Sequence, residues 1–92
     1  MDQCSRDLTR LSLLIHRLLD ADMLCDTEGA PLLTQTEAAR HCLEEGDAEE
    51  ARRHIAQVAL FTEALIREEA LEWAEGRTIL ETAHRLLAED AG

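Results

Sequence analysis

Three carboxylate–histidine pairs stand one helical turn apart in this chain: Glu37/His41, Glu50/His54 and Glu81/His84. Side chains three or four residues apart share one face of a helix, so each pair could reach a single metal ion. Glu81/His84 has the Glu-x-x-His spacing of carboxylate-bridged bundle sites, where both ligands must turn into one interior cavity. Here Glu81 and His84 flank Leu80 and Ala83 of an apolar stripe instead of replacing them. With 20 acidic residues in 92, such pairs also arise readily by chance. Surface pairing is therefore the expectation, and His54, Glu50, Glu81 and His84 form the alternative, a metal site. That alternative requires at least three of Cys25, Cys42, His41, His54, Glu50, Glu81 and His84 to meet at one point.

Thiol chemistry has three candidates, Cys4, Cys25 and Cys42, odd in number and without short paired spacing. They form no disulfide framework, and reduced thiols are expected. His41 beside Cys42 could lower a thiol pKa, but neighbours on a helix point about 100° apart. Cys25 is expected in a solvated loop and Cys42 at the edge of a core. A copper- or formaldehyde-sensing helical repressor would need a His–Cys spacing and a basic helix face that are missing. No Ser, His and Asp carry a nucleophile motif and no Gly-rich loop opens a helix, so neither catalysis nor a cofactor is expected. Trp73 could anchor a partner, but its register with Leu80 and Leu87 places it in a core or at its edge.

The elements that carry these residues read as helices. Leu8, Leu11, Ile15 and Leu18 step by three and four, with Leu14 and Leu19 widening the face. Similar stripes follow at Leu32, Thr36, Ala39 and Leu43, at Ala51, Ile55, Val58, Thr62 and Leu65, and at Trp73, Gly76, Leu80, Ala83 and Leu87. The spacing predicts helices over about 6–24, 32–45, 48–68 and 72–89 in a single domain. Asp26 to Pro31 reads as the clearest loop, with Pro31 opening the second helix. At Gly46-Asp47 a left-handed glycine ends one helix, and Asp47 caps the next with Glu50 completing a capping box. Residues 68–72 hold neither Gly nor Pro, leaving the third joint open between a turn and one long helix bent near Gly76. An all-α, four-helix antiparallel up-down bundle packs these stripes most simply.

Ala, Leu, Glu and Arg dominate while Tyr, Asn and Lys are absent, a composition that favours helix. The net charge is −11, and no helix-sized segment carries a basic stripe, which disfavours nucleic-acid binding. Carboxylates occur along the whole chain and read as a solvated helix surface. An acidic mimic of nucleic acid would need them arrayed on one face. No export signal or membrane span is encoded, so a cytoplasmic protein is expected, or an exported one if the chain is a domain of a larger secreted protein.

The order of signals resembles the FIMAH-type helical domain. The similar stretch runs from Leu8 to Leu87 and includes Leu32-Leu33, Glu37-Ala38-Ala39, Leu43-Glu44-Glu45-Gly46-Asp47, and Ala51, Ile55, Val58 and Leu65. Ala64-Leu65-Ile66, Leu71 and Ala83-His84-Arg85-Leu86-Leu87 look like that family's last hairpin. The resemblance implies a bacterial accessory or interaction module and no reaction. The expected function is a non-catalytic helical protein-interaction module that binds a protein partner or itself as a homodimer. The alternative is a small metal- or thiol-responsive regulatory protein.

Overall fold

The computed structural model describes residues 3–91, with side chains through residue 88. Four helices follow one another: α1 (Gln3–Asp20), α2 (Asp26–Glu44), α3 (Ala48–Arg67) and α4 (Trp73–Ala91). Each packs on its neighbours in sequence, and α4 returns to α1, so the four close into a bundle whose thinnest seam is α1/α4. Leu8, Leu11, Ile15, Leu32, Val58, Ile79 and Leu86 are essentially solvent-free at its centre. Burying each such side chain is worth about 1.5–3 kcal/mol, which fixes the facing stripes.

All three joints use one device. Met23 N–H donates to the Leu18 carbonyl at 2.9 Å and Asp22 N–H to Leu19 at 3.2 Å. The same crossed pair joins Asp47 to Cys42 and Gly46 to Leu43, then Ala70 to Leu65 and Glu69 to Ile66. These are Schellman closures, which satisfy the last helical carbonyls and need a left-handed residue just beyond the helix. Asp22, Gly46 and Glu69 supply it, with φ of 59°, 83° and 61°.

The expected Gly46-Asp47 joint is present, and Asp47 Oδ1 accepts from Glu50 N–H at 3.1 Å. Two other boundaries differ. Helix α1 stops at Asp20 instead of near 24, and α2 starts at Asp26 instead of 32, so the segment read as a loop is the first turn and a half of a helix. Asp26 and Glu28 suit the positive end of the helix dipole, and the Cys25 carbonyl accepts from Glu28 and Gly29. Pro31 lies inside α2 on its exposed side. The open joint resolves as a turn at residues 68–72, and Gly76 is helical.

The buried pattern repeats. Displaced by 47 residues, as from Leu18 to Leu65, the buried set Leu8, Leu11, Ser12, Ile15, Leu18 becomes Ile55, Val58, Ala59, Thr62, Leu65. Leu24 becomes Leu71, and Gly29, Leu32, Thr36, Ala39 become Gly76, Ile79, Ala83, Leu86, all buried. The bundle is thus two helical hairpins built in one register. Both early-helix glycines have the same reason: a Cβ at Gly29 would overlap Leu19, and one at Gly76 would overlap Ile66, in each case the last turn of the preceding helix.

The α4 core therefore runs Gly76, Ile79, Ala83, Leu86: Gly76 and Ala83 are buried as expected, and Ile79 and Leu86, which flank the expected stripe, take the places of Leu80 and Leu87. Leu80 and Leu87 sit at its edge, and Trp73 is 61% exposed.

Each seam also carries a polar tie. Ser12 Oγ donates to Glu37 Oε2 at 3.0 Å between α1 and α2, and His54 Nδ1 to Gln35 Oε1 at 2.6 Å between α3 and α2. Arg52 Nη1 donates to the Leu87 carbonyl at 2.7 Å between α3 and α4, and Arg85 Nε lies 3.6 Å from Asp7 Oδ2 between α4 and α1.

Candidate interaction surface

Antiparallel packing puts the α1–α2 and α3–α4 turns at the same end, where Asp22 and Met23 share a depression of about 340 Å³ with Glu69, Ala70, Glu72 and Glu75. Residues 20–28 and 67–75 contain eight carboxylates and one guanidinium, Arg67, a local charge of −7 out of −11. Folding brings these two acidic segments, far apart in the chain, together at this end, while five further carboxylates with no basic residue among them lie in residues 44–50 at the α2–α3 turn. Among the described residues, Glu75 Oε2 has no hydrogen-bond partner and almost no exposed surface.

Apolar surface lies at the same end. Trp73 stands at the first position of α4, lining a depression of about 600 Å³ with Ile66, Leu71 and Glu72. Met23 is 41% exposed beside it in sequence-distant Asp22's turn. Around the side, Phe61 and Pro31 frame a smaller groove of about 260 Å³ with Ala64 and Glu28. The exposed Trp73 corrects its expected core role. Its i+7 register with Leu80 is real, but Leu80 itself lies at the edge of the core, so the register points past it.

The candidate metal ligands are scattered. Glu50 Oε2 accepts from Arg53 at 3.3 Å. His54 faces Gln35, Glu81 pairs with Arg77 at 3.2 Å, and Glu37 takes both Arg40 and Ser12. His41 and His84 are exposed. Among the described residues, no three His, Cys, Asp or Glu side chains come together to hold a metal ion.

All three cysteines are free thiols. Cys25 is exposed at the N-cap of α2, its Sγ 3.1 Å from Thr27 Oγ1. For Cys42, burial pushes the thiol pKa up, and the carboxylates of Asp47, Glu50 and Glu45 add to the rise. The activating influence of His41 suggested by their adjacency is thus outweighed.

The sequence reading missed Asp7, whose carboxylate is fully buried between α1 and α4. Gln3 Nε2 donates to its Oδ1 at 3.1 Å, with Arg10 and Arg85 at 3.9 and 3.6 Å. The signal was available, since Asp7 lies four residues before Leu11 on the core stripe.

Compared with known proteins, the chain matches no family model, no curated protein sequence and no solved structure. None of the helices of the described residues is long and apolar enough to cross a membrane.

Proposed function

We propose that this chain is a non-catalytic helical module that works by contact with a protein partner. The observation that carries the reading is Trp73, a large aromatic side chain left 61% exposed at the start of α4. Exposed Trp is costly to hydrate and is enriched in the energetic centres of protein interfaces. The scattered candidate ligands give the metal- or thiol-responsive alternative no comparable support. The resemblance to FIMAH-type domains leads to the same reading, an accessory or interaction module.

Site-specific photo-crosslinking tests it. A benzoylphenylalanine at position 73, in the full-length protein in its own cells, should give a discrete protein adduct that the same group at exposed Arg53 does not give. No discrete adduct at position 73 or at exposed Leu13, Leu60 or Phe61 would overturn the reading.

A further inference from the structure

We infer that the end of the bundle carrying the α1–α2 and α3–α4 turns docks a basic segment of a partner protein, one with an apolar side chain between its positive charges. This inference rests on the interaction-module reading and adds the place and the chemistry of the partner. Three features converge there. Residues 20–28 and 67–75 together carry a charge of −7; the α2–α3 turn at the opposite end is also acidic, with five carboxylates in residues 44–50, but among those residues no large apolar side chain is exposed. Within that field stand Trp73, 61% exposed over the depression that it lines with Ile66 and Leu71, and Met23, 41% exposed in the depression that it lines with Glu69 and Glu72. Alongside, Glu75 lines with Asp22, Glu69 and Glu72 a second depression whose polar groups are carboxylates. A guanidinium or ammonium group entering that depression meets the carboxylates of Asp22, Glu69 and Glu72 as charge-assisted acceptors. A further cation of the segment can lie over the exposed Trp73 ring.

Charge complementarity selects this occupant. A second copy of the chain presenting the same end brings another −7 against it, and like charges brought together oppose association. A surface imitating a nucleic-acid backbone needs a continuous carboxylate array, whereas here apolar Trp73 and Met23 interrupt it. None of the four polar ties between helices uses residues 20–28 or 67–75, so this end can be altered without cutting them.

The test is a titration of the full chain with a capped peptide of arginine, leucine and alanine placed at helical spacing. Trp73, the only tryptophan, reports binding by its fluorescence, and calorimetry gives the affinity. Binding should weaken with added salt. By calorimetry it should be weaker by about tenfold or more in Trp73→Ala, the usual effect of losing a Trp at the centre of an interface. A comparable loss is expected in a variant combining Asp22→Asn, Glu69→Gln and Glu72→Gln. Glu44→Gln with Glu49→Gln, at the opposite end, should bind as the parent does. Circular dichroism of each variant should match the parent.

No binding of the arginine–leucine peptide, or equal binding of a glutamate–leucine version, would overturn the inference. So would equal binding of an arginine–alanine version without leucine, which would leave charge alone. Sedimentation showing a dimer abolished by Trp73→Ala would replace the partner segment with a second copy. Peptide binding unaffected by all the variants would refute this site. In each case a crosslinked partner in the cell-based experiment would still uphold the broader interaction reading.

Discussion

Asp22, Gly46 and Glu69 occupy the same left-handed position at successive helix ends, and they differ in what that position costs them. Glycine adopts it freely, Asp tolerates it through its short polar side chain, and Glu has neither advantage. Nothing lies within 4 Å of a Cβ placed on Gly46, so the cost of substitution there is backbone strain alone. Gly46→Val should lower stability by about 1 kcal/mol or more, and Glu69→Gly should raise it by about 0.5–1 kcal/mol. Asp22→Gly should gain less than Glu69→Gly. Urea melts of the three variants measure this, and an unchanged Gly46→Val would mean that the closure is not left-handed. The cysteines make a second residue-level prediction. Exposed Cys25 should be alkylated by iodoacetamide well before Cys42, whose thiolate is disfavoured by burial and by Asp47, Glu50 and Glu45. Because the folded state holds the Cys42 proton more tightly, its contribution to stability is complete below the ordinary thiol value of 9.0 and is lost as pH rises through the higher folded value. The alkaline loss of stability should therefore be shallower in Cys42→Ala, read as the slope of melting temperature against pH above 9. Equal slopes would remove Cys42 as a source of that loss.

At the scale of elements, the two hairpins share a close approach between a helix's first turn and the last turn before it. Gly29→Leu and Gly76→Leu should each destabilise by roughly 1–3 kcal/mol, since the added side chain meets Leu19 or Ile66. Ala30→Leu, on the exposed side of the same turn, should stay within about 0.5 kcal/mol of the parent in thermal melts. Equal effects at 29 and 30 would refute the packing role. The helical stripes of α1, α2 and α3 were legible because their centres are Leu, Ile, Val and Thr at three-four spacing. In α4 the expected Gly76 and Ala83 are buried, whereas Ile79 and Leu86 take the central places of Leu80 and Leu87, which look equally apolar in the sequence. The first joint was misplaced because Asp22, not a glycine, takes the left-handed turn, while Gly29 and Pro31 stand inside a helix. The repeat itself is hidden in sequence: Leu18/Leu65, Leu24/Leu71 and Gly29/Gly76 are identical, but Ile15 answers to Thr62 and Asp7 to His54. Register is conserved between the hairpins by burial and not by residue type.

For the whole molecule, the organising fact is that the two ends are both acidic but differ in apolar exposure, with Trp73 and Met23 exposed at the end of the α1–α2 and α3–α4 turns and no large apolar side chain exposed in residues 44–50. Composition alone reads 20 carboxylates as a solvated surface, and for Glu37, Glu50 and Glu81, paired with nearby arginines, that reading agrees with the structure. What composition could not reveal is that the antiparallel connection stacks the two acidic turns on each other around Trp73. The most direct measurement is a nitrogen–proton correlation spectrum of the labelled full chain with increasing arginine–leucine peptide. Amide shifts should concentrate in residues 20–28 and 66–76, including the Trp73 indole N–H, and should leave the Gly46-Asp47 joint and the Asp7 seam unmoved. Shifts scattered over all four helices, or centred on the Gly46-Asp47 end, would contradict the account.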